Sequence, residues 1–219
     1  MPPLSFWACL CVCSYGGQTV AQALVASCRT VAPQFVVHSL HSYFLRPGDD
    51  DLPIIYFVER LRNGATFASR RVTALQRGQA IFAMTVSFQT PEQGREHQQP
   101  MPAVPPPETI KSLMESYRDV LQDPRVSARV RKGLERSMVL PFPVDMRRCV
   151  PESMEQRLKV NEPVQRSWMR VQGQLGNSLM MHQCALAYMV SRRIMRDTRW
   201  QLGCLPCPLW GFGSRLEPR

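Results

Sequence analysis

Residues 16–89 read GGQTVAQALVASCRTVAPQFVVHSLHSYFLRPGDDDLPIIYFVERLRNGATFASRRVTALQRGQAIFAMTVSFQ, and they carry two kinds of periodicity in one order. After the Gly16-Gly17-Gln18 opening, Val20, Ala23, Leu24, Ser27 and Val31 recur at helical spacing, which predicts a helix over TVAQALVASCRTV. Four runs rich in β-branched and aromatic residues follow: FVVHSLHSYFLR, IIYFVERLRN, TFASRRVTALQR and QAIFAMTVSFQ. Turn residues separate them, namely Pro47-Gly48-Asp49-Asp50, Asn63-Gly64 and Gly78. The pattern is one helix and then a long antiparallel sheet able to wrap around it.

That order is the hotdog arrangement, an α+β fold. The strings GGQTVAQALVAS, VHSLHSYFLRPGD, LPIIYFVERLRNGATFASRRVTALQRGQAIFAMTVSFQ and EHQQPMPAVPPPE, and later SWMRVQGQLG and LMMHQCALAYM, strongly resemble the type II acyl-coenzyme A thioesterases. This family includes bacterial thioesterase II and a peroxisomal type of animals. The resemblance spans residues 15 to 189. It implies a double hotdog in which the first hotdog is nearly complete and the second stops after its central helix. It also implies hydrolysis of fatty acyl-coenzyme A to free acid and coenzyme A, without a metal or redox cofactor.

Composition sets the outer bounds. A chain of 219 residues with 44% apolar residues can bury a real core as one large domain or two small ones. The formal charge of +10 is scattered as arginines through the strands and the region from Arg125 to Arg148. A solvated basic face is the plainer reading, and a surface that helps hold the phosphates of an acyl-coenzyme A is the sharper one. No groove-reading motif accompanies the charge, which argues against nucleic acid. The apolar run Leu4 to Val12 is too short to span a membrane and has no basic residue ahead of it.

Of the eight cysteines, Cys9, Cys11 and Cys13 stand near the start, Cys204 and Cys207 near the end, and Cys28, Cys149 and Cys184 in the family-like body, which reads as reduced and intracellular. Cys204-x-x-Cys207 has zinc or redox spacing, but no second pair stands in register to complete four ligands.

Five segments are expected: a non-family start over 1–14, an N-terminal hotdog over 15–90, a Pro-rich linker with two short helices over 91–138, a partial C-terminal hotdog over 139–189, and a non-family tail over 190–219. The linker prolines Pro100 to Pro107 favour an extended path. Glu108 and Thr109 are expected near the start of the first short helix, and Pro124 divides it from the second. FPVDMRRC and SWMRVQGQLG should pair as strands beside the helix SLMMHQCALAYM, leaving that helix exposed with only two strands as cover. Both ends read as translated intron: MPPLSFWACLCVCS has pyrimidine-rich codons and an in-frame acceptor at Cys13-Ser14, and Val190-Ser191 translates a common splice donor. A genomic sequence with no donor after Met189 would remove that hypothesis.

Thioester hydrolysis needs a water aligned on the carbonyl carbon, a group to take its proton, and donors for the oxyanion. The resemblance assigns the water to an aspartate at the end of the second central helix, helped by a serine or threonine and a glutamine from later strands. Carried over, that aspartate falls on Ser191, which is no base at neutral pH; Asp197 is almost two turns on, and the later-strand partners have no matching positions. No complete catalytic set is therefore expected, and a non-catalytic isoform that binds or modulates full-length subunits is the alternative.

Gly16, Gly17, Gln18 and His41 are the substrate-groove candidates. Glycines at a helix entry permit close backbone approach, and first-turn amides can face an anion or carbonyl, although tight helix packing is the plainer reading of these three residues. His38 and His41 are read as hydrogen-bonded structural residues on opposite faces of one strand, His182 as part of the family string, and Asp49, Asp50 and Asp51 as a solvated turn with no metal. Expected partners are fatty acyl-coenzyme A and a homo-oligomer or a full-length homologue, with no nucleic acid and no membrane span. The family's location is the peroxisomal matrix. The terminal Glu217-Pro218-Arg219 lacks a Ser-Lys-Leu-like signal, so a cytosolic location is expected for this chain alone.

Overall fold

The computed structural model describes residues 16–49, 51–95, 97–139, 143–149 and 166–201, with side chains as far as Val190 in the last segment. The described residues divide into two compact units, one formed by those up to 94 and from 175 onward, the other by those within 95–174.

In the first unit, helix α1 (Gly16–Cys28) is followed by strands β1 (Val36–Phe44), β2 (Ile55–Asn63), β3 (Phe67–Gln76) and β4 (Gln79–Gln89). All pairs are antiparallel, in the order β1-β4-β3-β2. The expected helix and four strands are therefore present, each within a few residues of the reading from periodicity. The helix ends before Val31, because Thr30 N–H closes a tight turn onto the Ser27 carbonyl and Thr30 Oγ1 donates to the same oxygen at 2.8 Å. One face of the sheet carries Ala68, Val72 and Ala74 of β3 and Phe82, Met84, Val86 and Phe88 of β4, which close over Val20, Ala23 and Leu24 of α1. Between β3 and β4 the chain reverses through Arg77 (φ 49°) and Gly78 (φ 74°), the two-residue turn with both φ positive that matches strand twist.

Helix α4 (Leu179–Gln201) also belongs to this unit. The sequence reading left it exposed beneath two strands; instead it packs on α1 and buries Cys184 in the core of the first sheet. Gln183 Nε2 donates to the Val37 carbonyl at 3.2 Å and ties the helix to β1. The physical reason is that a central helix has two apolar flanks, and α1 offers a ready surface for one of them. Leu179 and Leu186 remain exposed.

The second unit contains a short 3₁₀ turn (Pro107–Thr109), helices α2 (Leu113–Gln122) and α3 (Ala128–Val139), and the antiparallel pair β5 (Val144–Arg148) and β6 (Ser167–Val171). The two short helices and both strands match expectation, except at the first helix start. Glu108 and Thr109 lie in the 3₁₀ turn, and α2 begins at Ser112, which caps the Glu115 amide while the Glu115 carboxylate accepts from the Ser112 amide. That reciprocal capping box satisfies two free donors, so the helix nucleates there. Leu113, Tyr117, Val120, Val126, Leu134 and Met146 form this unit's core.

Candidate functional site

The start of α1 gathers a polar strip. Gly16 and Gly17 are buried, Gln18 is half-buried, and Thr19 is buried. The first amides of a helix lack partners within it and carry a partial positive charge. One turn further, Gln22 Oε1 accepts from Tyr56 Oη at 2.8 Å. Burial pushes the Tyr56 phenol above its ordinary range, with a hydrogen bond from Thr19 opposing the shift, so Tyr56 stays a neutral donor at physiological pH. Tyr56 and Val58 are the β2 residues that turn toward the core, which aims the phenol at the helix. The Tyr56 proton is given to Gln22, so what the strip offers a carbonyl oxygen or an anion is the first-turn amides of α1. Thr19, Gln22 and Tyr56 escaped the sequence reading; the alternation of β2, which sends Tyr56 inward beside Val58, was the available signal.

His41 does not join this strip. Leu40 and Phe44 pack on the core with α1, whereas His41 and Tyr43 are exposed, so His41 projects from the opposite side of the sheet, paired across from Thr85. The expectation that His38 and His41 occupy opposite faces also fails. The register shifts between Val37 and Ser39, and this bulge lets Val37 and Leu40, three residues apart, both reach the core while both histidines are exposed. Neither histidine has a hydrogen bond among the described residues; His38 meets Phe67 edge-on, with ring centres 6.0 Å apart.

Arg70 is the least predictable residue of the unit. It is 2% exposed, and among the described residues its guanidinium pairs with no carboxylate. Its Nε donates to Thr30 Oγ1 at 2.7 Å, Nη2 to the Thr30 carbonyl at 3.0 Å and to Asn63 Oδ1 at 2.7 Å, and Nη1 to the Arg62 and Ser69 carbonyls at 2.8 Å each. It joins the segment after α1 to the β2–β3 hairpin. Burial lowers its pKa, and the nearby Arg60 charge adds to the shift.

Other expected residues have plain roles. Asp49 receives the Asp51 amide at 3.1 Å and pairs with Arg77 at 3.1 Å, both at a turn whose backbone is held by the buried Gln76. Asp50 lies outside the described residues. His182 Nε2 donates to the Gly176 carbonyl at 2.9 Å, just ahead of α4. Ser191 and Asp197 are in the backbone of α4, and their side chains lie outside the description. So do Cys9, Cys11, Cys13, Cys204, Cys207 and the run Leu4 to Val12. Burial pushes the Cys28 thiol up to about 11 and that of Cys184 up to about 12, the Cys28 charge adding to the latter. Among the described residues no group of three or more His, Cys, Asp or Glu could hold a metal ion, and no helix is long and apolar enough to cross a membrane.

Comparison with known proteins attaches a family to this geometry. Residues 5–89 match the family described as the acyl-CoA thioesterase N-terminal domain, a match that begins ten residues ahead of the expected family boundary at residue 15. Acyl-coenzyme A thioesterase 8 of Rattus norvegicus is 41% identical over 179 residues, which is 80% of this chain and 55% of the rat protein. The chain thus spans about half the length of that relative. The crystal structure of acyl-CoA thioesterase II TesB2 from Mycobacterium marinum superposes with a TM-score of 0.64 at 35% identity, covering 86% of this chain and 63% of that one. A hot dog fold protein from Alicyclobacillus acidocaldarius, 18% identical, shares the fold with a TM-score of 0.58 and covers 83% of this chain and 59% of its own. With a helix-wrapping sheet at residues 16–89 and these likenesses on both sequence and structure, residues 5–89 are an acyl-CoA thioesterase N-terminal domain, and the chain is similar to acyl-CoA thioesterases over most of its length.

Proposed function

We infer that the chain serves fatty acyl-coenzyme A thioester chemistry and that it binds such substrates without carrying the family's full hydrolytic set. The observation that carries the reading is the domain at residues 5–89, whose relatives are thioesterases by name. The start of α1 supports it: the first-turn amides at Gly16 to Gln18 are suited to a thioester carbonyl whose oxygen gains charge as water attacks. Of the groove candidates, Gly16, Gly17 and Gln18 lie at this end of α1, and His41 projects from the other side of the sheet. In hydrolysis, water oxygen bonds to the acyl carbon, the carbon–sulfur bond breaks, and the coenzyme A sulfur leaves with a proton. The proton from water needs a base, and the family aspartate position holds Ser191, whose hydroxyl cannot accept it at neutral pH.

The test is hydrolysis of decanoyl-coenzyme A, followed with a thiol reagent, by the chain as it stands and by a version whose residues 190–219 are replaced by the matching segment of the rat relative. Turnover in the extended version alone supports the reading. Turnover by the unaltered chain at a similar rate overturns it and makes Tyr56 the first residue to change.

A second reading is favoured by sheet topology: among the described residues β1 and β2 are the edges of the four-stranded sheet, the position at which another chain's strand can add. A non-catalytic chain that pairs with full-length subunits would co-purify with a tagged full-length homologue; failure to do so at micromolar concentration removes this reading.

A further inference from the structure

Helix α3 carries its charge in an unusual arrangement. Arg129, Lys132 and Arg136 are all exposed. At about 100° per residue they fall within an arc of about 60°, and they span about 10 Å along the axis. None has a hydrogen bond or ion pair with another described residue, a state shared by the exposed Arg60, Arg71 and Arg118, whereas Lys111 pairs with Asp119, Arg125 with Asp123, Arg147 with Asp145 and Arg77 with Asp49; what sets α3 apart is that its three cations stand on one face. Arg131, on another side of the helix, donates to the Leu121 carbonyl at 2.8 Å. Glu135, the one acidic residue of α3, lies off the arc and forms no ion pair among the described residues.

Arg136 in the last turn suits the negative end of the helix, but helix stability does not account for Arg129 or Lys132. A helix start favours acidic side chains, and α2 has one in Glu115 of its capping box. The first turn of α3 has no acidic residue and holds Arg129 and Arg131 instead. Cations set against the positive end of a helix repel it slightly, and the same arrangement strengthens attraction for an incoming anion.

We propose that the Arg129, Lys132 and Arg136 face of α3 is a binding site for clustered phosphates, those of the coenzyme A part of the substrate. This rests on the acyl-coenzyme A reading above. Coenzyme A presents a 3′-phosphate and a 5′-diphosphate on one nucleotide, a compact polyanion that three cations along one helix face can engage together. An anionic lipid surface has the same phosphate chemistry, but its recognition draws on clusters of about four to eight basic residues, more than this arc contains.

The experiment is equilibrium titration of the full chain with coenzyme A, with decanoyl-pantetheine, which lacks the nucleotide phosphates, and with vesicles rich in phosphatidylserine. The wild-type chain is compared with the triple variant R129Q/K132Q/R136Q and with Arg77→Gln as a surface-charge control. Glutamine keeps helix propensity, and circular dichroism checks that each variant is folded. The expected result is an approximately tenfold weaker affinity for coenzyme A in the triple variant only, unchanged decanoyl-pantetheine binding, and a loss of the difference at high salt. Equal coenzyme A affinity in wild type and triple variant, with decanoyl-pantetheine still bound, overturns the α3 site and leaves the acyl-coenzyme A reading standing. If the wild type binds neither compound, both fall. Vesicle binding that disappears in the triple variant while coenzyme A affinity does not change also overturns the site, making the face a lipid contact.

Discussion

The two units solve the same problem by different means. In the first, four strands and two helices supply enough apolar surface that Ala23, Val72, Ala74 and Val86 are fully buried. In the second, the sheet is a single strand pair, Val144 and Met146 are 5% and 6% exposed, and the fully buried side chains come from the helices, Tyr117 at 0% and Leu134 at 1%. There, side chains reach the backbone of the proline-rich segment: Arg147 Nη1 donates to the Pro107 and Ile110 carbonyls at 2.9 and 3.1 Å, and Trp168 Nε1 to the Pro105 carbonyl at 3.0 Å. Prolines cannot donate, so their carbonyls need donors from elsewhere. Where a sheet is wide, burial dominates; where it is narrow, specific hydrogen bonds hold irregular chain in place.

This contrast can be broken by mutation. Phe82→Ala in the wide sheet should cost about 3–5 kcal/mol, because the cavity cannot collapse against β4's neighbours; denaturant unfolding checks it, and a cost under 1 kcal/mol would contradict the packing described. Arg70→Ala should cost about 2–4 kcal/mol, since Asn63 and the carbonyls of Thr30, Arg62 and Ser69 lose their buried donor. Near-neutral stability for that variant would mean that water replaces the guanidinium. In the narrow unit, Ser112→Ala should cost only about 1 kcal/mol by removing one side of the capping box. Hydrogen exchange should show that loss first at α2 amides.

The smallest effects are in pH, and they run in opposite directions for the two units. Hydrogen bonds from Arg125 hold Asp123 near 2, below its ordinary 3.8, so its contribution is complete above the unfolded value and lost as pH falls toward 2. The same sign applies to Glu115, lowered by the Ser112 amide. Cys28 and Cys184 are raised, so their contribution to the first unit is complete below the ordinary 9.0 and lost as pH rises toward 11 and 12. Acid should loosen α2 and its turn before the sheet, and alkali should loosen the α1–α4 contact; the reverse order in pH-dependent hydrogen exchange would defeat the assignment.

Much of the first unit was legible because its signals are local. Alternation in AIFAMTVSFQ puts Phe82, Met84, Val86 and Phe88 on one face whatever lies beyond, and a Gly at position 78 permits the tight reversal. The candidate site was legible only in part. Gly16, Gly17 and Gln18 could be named from the helix entry, while Tyr56 and Gln22 became partners through a contact between residues 34 positions apart. The error over His38 and His41 has the same origin: one bulged residue resets the alternation of a strand, and nothing in VVHSLHSYF announces it.

The amino-acid sequence by itself determined the helix, the four strands and their order, the short helices after the prolines, and the family likeness, since periodicity, turn chemistry and long shared strings act over neighbouring residues. Tertiary structure alone decided that α4 packs on α1, that Arg70 could be buried without a carboxylate, that His41 leaves the strip at α1, and that three cations of α3 stand unpaired on one face. Each of these depends on which distant groups meet, and free energy of burial and pairing is set by that meeting rather than by the residue's own neighbours.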